Sequence, residues 1–231
     1  MKSIEEMRAS YYEYIEQRRR GYEITAAMIG YIVQKMQDAS RISNKVLISG
    51  RIKSFKSAYD NIGKKAVDDC FGLRIIGDYD DLVKIEKELR EILVVDATKD
   101  HRKKTDTKYN GIHKIVHMNS KYAQNNGMQP EMFPEIEIQY WDEETKQKCL
   151  YGELSYANYK KRDLLAIIEG LDNDPETVYM NLPMCYDIQG NNIRLLSHKE
   201  ALYKLYPEIQ ELEEKRRKVS VPPDADDGVN R

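Results

Sequence analysis

Two hydrophobic periods alternate along this chain. Over residues 24 to 40, Ile24, Met28, Tyr31, Ile32 and Met36 recur on one helical face. Residues 3 to 20 read as a separate, earlier helix: Ser3-Ile4-Glu5-Glu6 fits a capping box, and Gly21 is the expected stop. Val46-Leu47-Ile48 reads as a short strand ended by a turn at Gly50, and Ser54 is placed to cap a helix through about Lys64. The unbroken apolar run from Phe71 to Ile76 predicts a buried strand. Asp80 is the expected cap of a helix from Asp81 to about Leu93, with Leu82, Ile85, Leu89 and Ile92 as its inner stripe, and Val94-Val95 starts another strand. Strict alternation marks Ile112 to Val116 and Glu135 to Gln139 as strands. Helical patterns follow from about Asp142 to Lys161 and from Asp163 to Leu171. Gln189-Gly190-Asn191-Asn192 predicts a hairpin within Tyr186 to Leu196, and a last helix is expected from His198 to about Lys218. Helices, then strands alternating with helices, then helices again predict an α+β fold, a mixed β-sheet of about five strands flanked by helices. The expected divisions are a helical segment at 1–44, a central domain at 45–175, a hairpin and helix at 176–218, and a polar, proline-containing tail at 219–231, expected to be disordered.

Composition narrows the class. At 41% hydrophobic residues the chain can build a core. Charged residues reach 33%, but the net charge is only −2, so bulk charge selects no partner. Local cationic clusters stand at Arg18-Arg19-Arg20, Arg102-Lys103-Lys104 and Lys160-Lys161-Arg162, each equally readable as a solvated surface. Cys70, Cys149 and Cys185 form no Cys-x-x-Cys, and the four histidines have no metal-ligand spacing, so neither a zinc site nor a disulfide framework is expected. The charged stretch from Lys2 to Glu6 does not resemble a signal peptide, and no apolar run approaches membrane-spanning length. A cytoplasmic protein with no membrane partner is the expectation.

The chemistry concentrates in three segments. Ser49-Gly50-Arg51-Ile52-Lys53-Ser54-Phe55-Lys56-Ser57 sets cations and hydroxyls around a glycine bend, a composition suited to a polyphosphate. Asp69, heading Cys70-Phe71-Gly72-Leu73-Arg74, offers a carboxylate suited to Mg²⁺. Glu137 supplies a second acid on an alternating strand. Two acids on neighbouring strands facing a phosphate-binding turn point to metal-assisted phosphoryl transfer. Read singly, Glu137 also fits a solvated strand face, His113 a structural histidine, and Arg74 a cation paired with a carboxylate inside its apolar run.

In order and spacing these segments resemble the synthetase domain of the RelA/SpoT family, the alarmone synthetases, over about residues 45 to 160. Gly50-Arg51-Ile52-Lys53 with Ser57 resembles the family's ATP motif, Asp69 to Arg74 its metal-binding strand, Tyr109-Asn110-Gly111-Ile112-His113 its acceptor loop, and Glu137-Ile138-Gln139 its second acid with a neighbouring amide; Tyr151-Gly152 and Tyr159-Lys160 match the helix that follows. The resemblance implies a nucleotidyltransferase-like synthetase fold and transfer of pyrophosphate from ATP to a ribose 3′-hydroxyl. It implies Arg51, Lys53 and Ser57 as ATP-binding residues, Asp69 and Glu137 as catalytic and metal-binding residues with Mg²⁺ as cofactor, and Lys99, Tyr109, His113 and Gln139 on the acceptor side. Tyr109 is the expected stacking platform for the acceptor base. The implied acceptor is GDP or GTP. Toxin-like relatives that modify the 3′ end of tRNA, and a silent nucleotide-binding regulator, are the alternatives; an antitoxin protein or a second copy of the chain are possible partners.

The chain departs from the family pattern at three places. Asn61 stands where the family has a lysine, with Lys64 or Lys65 a turn further on. Trp141 replaces the arginine of Gln-x-Arg; an indole cannot pair with a phosphate but can stack on a base. Lys104-Thr105-Asp106-Thr107-Lys108 replaces a proline-lysine-asparagine approach to Tyr109. The segment before Lys45 is too short for a hydrolase domain, so a single-domain synthetase is expected.

Overall fold

The computed structural model describes residues 3–59, 69–103, 109–160 and 162–220. Helix α1 runs unbroken over Ile4–Asp38. Its start is the expected capping box: Glu6 N–H donates to Ser3 Oγ at 3.1 Å, and Ser3 N–H to the Glu6 carboxylate at 2.7 Å. Gly21, the expected stop, lies inside the helix. A β-carbon there would stand 2.1 Å from the Met132 carbonyl oxygen, so the glycine admits a neighbouring backbone rather than ending the helix. Gly30 does the same against the Gly190 carbonyl.

There follow β1 (Leu47–Ile52), α2 (Phe55–Tyr59), β2 (Phe71–Ile76), α3 (Tyr79–Leu89), β3 (Leu93–Asp100), a 3-10 turn at His101–Lys103, β4 (Ile112–Met118), α4 (Ser120–Asn125) and β5 (Ile136–Trp141). The chain continues through α5 (Glu143–Leu150), α6 (Tyr156–Lys160), α7 (Leu164–Asn173), α8 (Pro175–Met180), the hairpin β6 (Met184–Gln189) and β7 (Asn192–Leu195), α9 (His198–Leu205) and α10 (Pro207–Ser220). The single helix expected from Asp142 is two, α5 and α6. The last helix is also two, because Pro207 lacks an N–H and keeps Tyr206 out of helical geometry (φ −135°, ψ 70°). Asp80 lies in the first turn of α3, whose cap position is Asp78.

Among the described residues, seven strands form one mixed sheet in the order β3-β4-β5-β2-β1-β6-β7. β2 and β5 run parallel; the other neighbours are antiparallel. The sheet exceeds five strands because the C-terminal hairpin joins it, β6 pairing along β1. Strand alternation divides the residues between two faces. Phe71, Leu73 and Ile75 of β2 and Ile136, Ile138 and Tyr140 of β5 join Tyr22 and Ile29 of α1 and Ile85 and Leu89 of α3 in the main core. Tyr22 reaches across that core, its hydroxyl donating to the Gly72 carbonyl at 2.8 Å. The alternate positions, Gly72, Arg74, Glu137, Gln139 and Trp141, point the other way. A second cluster, Ala157, Ile168, Leu202, Tyr206 and Ile209, ties α6, α7, α9 and α10 together. Among the described residues no helix is long and apolar enough to cross a membrane.

Candidate active site

Two rows of paired residues cross the sheet on its second face. One row runs Arg51, Gly72, Glu137 over β1, β2 and β5. The next runs Ser49, Arg74, Gln139, His113, Lys99 over β1, β2, β5, β4 and β3. Because directly opposed residues share a face, pairing brings together side chains as far apart in sequence as Arg74 and Gln139, 65 positions. Gly72 leaves a bare step that the Arg51 side chain crosses; a β-carbon there would lie 3.3 Å from Arg51 Nε and 3.4 Å from its Cγ. Arg51 thereby reaches to 3.8 Å from Glu137 Oε2.

Glu137 is buried, and both its oxygens accept hydrogen bonds. His113 Nδ1 lies 3.0 Å from Oε1, and Gln139 Nε2 donates to Oε2 at 2.7 Å. Burial alone pushes this carboxyl up, but the bonds from His113 and Gln139 and the nearby positive charge of Arg51 outweigh burial and hold it at about 2. Glu137 is therefore ionised at neutral pH and a weak base.

Gln139 Oε1 accepts from Arg74 Nε at 3.3 Å and from an Arg74 terminal nitrogen at 3.1 Å. The Arg74 guanidinium lies 3.5 Å from the centre of the Trp141 ring. The sequence pointed to a carboxylate partner for Arg74; among the described residues none is in salt-bridge reach, and an amide oxygen and an indole face take that place. Burial, with Arg51 close by, lowers its pKa to about 10, which leaves it charged at neutral pH.

Trp141 is only 5% exposed, and Arg74 covers one of its faces, so it is not the open stacking platform that its sequence position suggested. Its indole N–H donates to the Tyr109 hydroxyl at 2.7 Å, and that hydroxyl is 2.5 Å from His113 Nε2. Tyr109 meets Trp141, His113 and His101 edge to face. It folds back over Gly111, where a β-carbon would stand 2.2 Å from the Tyr109 oxygen. Arg74, Gln139, Glu137, His113, Tyr109 and Trp141 thus close a ring of contacts. Sequence reasoning missed Arg74 and His101. The one signal for Arg74 was a lone cation within an apolar strand.

At the ends of β1 and β2, Lys53 and Asp69 are ion-paired. The Lys53 backbone N–H bonds the Cys70 carbonyl at 2.9 Å, and its carbonyl accepts from Tyr11 of α1 at 2.6 Å. Ser54 caps α2 as expected, accepting from Ser57 N–H at 3.3 Å, which seats Ser57 in the first turn beyond Lys53. Lys99 is exposed on β3 beside His113. Asn61, Lys64, Lys65 and Lys104 to Lys108 lie outside the described residues.

The expected metal can be tested against these donors. Among the described residues no group of three or more acids, histidines or cysteines converges tightly enough to hold an ion unaided. Asp69 precedes the Gly72–Glu137 pair by three residues, roughly 10 Å of strand, and Glu137 has both oxygens engaged. Mg²⁺ at phosphate-transfer sites commonly takes one or two carboxylates plus substrate phosphates. Asp69, with a third of its side chain exposed, fits such a one-carboxylate role.

No family model matches the sequence, and no curated protein does. The folded chain is similar to small alarmone synthetase 1 from Bacillus subtilis, at 19% identity over 91% of this chain and 97% of that one, with a TM-score of 0.49. A GTP pyrophosphokinase family protein from Streptococcus pneumoniae is similar at 12% identity over 91% and 93%, TM-score 0.45. Small alarmone synthetase 2 from Bacillus subtilis is similar at 16% identity over 87% and 95%, TM-score 0.40. At these values the likeness is one of coarse chain path.

Proposed function

We propose that the protein is an ATP-dependent pyrophosphokinase that moves the β,γ-pyrophosphoryl group of ATP to the 3′-hydroxyl of GDP or GTP. The observation that carries this reading is the assembly of motif residues from distant segments on one sheet face: Arg51, Arg74, Glu137, Gln139 and His113, with Lys53 and Asp69 at the strand ends. Arg51 and Lys53 bind the donor, Arg51 through its planar fork and Lys53 as a point charge. Lys53 is held by Asp69 in the free protein, so an incoming triphosphate replaces one Lys53 contact with another. A magnesium ion entering with the triphosphate would sit against Asp69 and would offset charge on the transferred group.

Glu137 acts as a fixed anion. At a pKa near 2 it is a poor acceptor for an alcohol proton, so its part is to orient His113 and Arg51. His113, Tyr109 and Lys99 face the acceptor. The tRNA alternative draws on the cationic clusters. Arg102 is bound twice by Asp100, and Arg19 is paired with Glu16 and Glu23. Cations already neutralised by neighbours release fewer counterions from an RNA backbone, which favours a free nucleotide.

The test is incubation with Mg²⁺ and ATP labelled in its β- and γ-phosphates, with GDP, GTP or deacylated tRNA in separate tubes. Label is expected in GDP or GTP. Label in tRNA alone would assign the toxin-like reaction, and label in none would assign the silent regulator.

A further inference from the structure

Arg51 stands between two residues without side chains, Gly50 before it on β1 and Gly72 opposite it on β2. The sequence predicts a turn at Gly50, but β1 runs through it to Ile52, so the missing side chain has another cause. That cause is the Tyr22 hydroxyl. A β-carbon at Gly50 would stand 2.2 Å from this oxygen, whereas its next neighbours, Leu73 Cδ2 and Tyr186 Cβ, lie at 3.3 and 3.4 Å. Seated over Gly50, the hydroxyl donates to the Gly72 carbonyl at 2.8 Å. The Arg51 backbone amide lies beside the same oxygen. Tyr22 thus touches the Arg51–Gly72 rung from the core face, while the Arg51 side chain crosses Gly72 on the other face. The Tyr22 ring is fully buried, with Phe71 at 5.4 Å and Tyr186 at 5.7 Å between ring centroids.

The geometry points to Tyr22 as a positioning residue for Arg51: its hydroxyl, seated in the Gly50 slot and bonded to Gly72, fixes the backbone from which the guanidinium reaches toward Glu137. Glycine in a strand interior has no side chain to pack and weakens the strand locally. Two glycines adjoin Arg51 on one ladder, so side-chain packing does little to hold this rung. A hydrogen bond from a rigid, buried ring supplies the constraint instead, and gives the buried phenol its partner. The placement it controls is close. Arg51 stands 3.8 Å from Glu137 Oε2, across the bare step at Gly72, and a shift of the rung would move it relative to β5. The role also explains why Arg51 follows a glycine: the slot admits a tyrosine hydroxyl on the face away from the site. Its consequence for turnover rests on the pyrophosphokinase reading, in which Arg51 binds the donor. Loss of the Tyr22 hydroxyl is then expected to raise the KM for ATP roughly fivefold, the worth of one net hydrogen bond, and to leave the acceptor KM nearly unchanged.

The deciding readout does not depend on turnover. Tyr22→Phe removes one oxygen and keeps the ring, so the fold is expected to persist. In protein with nitrogen-15 arginine, the Arg51 Nε–H signal should move or broaden in this variant, while that of Arg74, held by Gln139 at 3.3 Å, moves less. Tyr186→Phe is the control for loss of a buried hydroxyl. Its oxygen bonds Glu23 at 3.3 Å, away from the rung, and its removal should leave the Arg51 signal and the KM for ATP unchanged. Gly50→Ala tests the slot. In the wild type it should push the Tyr22 hydroxyl aside and lower the melting temperature. In the Tyr22→Phe background the β-carbon fits, so the added loss should be much smaller. An unchanged Arg51 signal in folded Tyr22→Phe would overturn the positioning role, and so would an equal response to Tyr186→Phe. Equal costs of Gly50→Ala in the two backgrounds would overturn the slot on which the role depends. A wild type that makes no pyrophosphorylated product, with the expected Arg51 response, would sink the proposed reaction and leave the positioning role standing.

Discussion

Two donors and one nearby cation hold Glu137 ionised within a buried site, and this has a consequence for acid stability. A carboxyl whose folded pKa is depressed contributes stability that is fully present above its unfolded value, near 4.3, and is lost as pH falls through the folded value of about 2. Urea unfolding measured across that interval should show a decline of a few kcal/mol in the wild type. Glu137→Gln, which has no charge to lose, should flatten the decline; equal slopes in both proteins would remove Glu137 from the acid-sensitive network. The same variant should lower turnover by about a hundredfold, since it leaves His113 without its charged acceptor. Asp69→Asn should lower turnover comparably, because it removes the charge that pairs with Lys53 and would receive the magnesium ion. Tyr109→Phe separates two readings of that residue. A stacking role alone predicts a small loss, whereas deletion of the hydroxyl orphans the Trp141 N–H and is expected to cost roughly 1–3 kcal/mol of stability by thermal denaturation.

At the scale of elements, β2, β4 and β5 were legible, β1 was expected to end in a turn at Gly50 but runs through it to Ile52, and the pairing of the strands was not legible. Alternation marked β4 and β5, and the apolar run marked β2, because side chains on a half-buried or fully buried strand repeat with a period of two or fill both faces. Which strand lies beside which depends on contacts distant in sequence. Hence Arg74 could be read as a cation in search of a carboxylate, and only the register that sets it between Ser49 and Gln139 identifies its partners. Trp141 was misread for a related reason: its sequence neighbours do not reveal that Arg74 covers it. The break expected at Gly21 failed because glycine is also used where backbones approach closely. Two substitutions test these placements. Gly21→Ala sets a β-carbon against the Met132 carbonyl, and overpacking of this kind should destabilise by about 1–3 kcal/mol in denaturant titration. Gly72→Ala places a methyl group at the edge of Arg51; it should leave the fold intact and weaken binding of a non-hydrolysable ATP analogue. An unaltered affinity would show that Arg51 does not need the bare step across β2.

Across the whole molecule, the sheet is asymmetric in purpose. One face is sealed by α1 and α3 in a continuous apolar core, and the other carries charged side chains that no apolar core would accommodate without partners. Those charges are arranged in rows, with Lys53 and Asp69 at one end and Tyr109 and Lys99 at the other, as a donor and an acceptor approaching from two sides would require. The basic cluster of α1 lies outside these rows. Neutralising Arg18, Arg19 and Arg20 together should leave the rate with a free nucleotide nearly unchanged at every salt concentration; a marked fall with a flattened salt dependence would bring an RNA acceptor back into consideration.

The most direct test of the central claim is the identity of the adenine nucleotide left behind. If the β,γ-pyrophosphoryl group is transferred as a unit, the α–β phosphoanhydride breaks and AMP leaves with the bonding electrons. Anion-exchange chromatography of a reaction containing protein, Mg²⁺, ATP and GDP should then show AMP rising in step with a pyrophosphorylated guanosine product. Accumulation of ADP, or ATP that survives unchanged, would contradict the account.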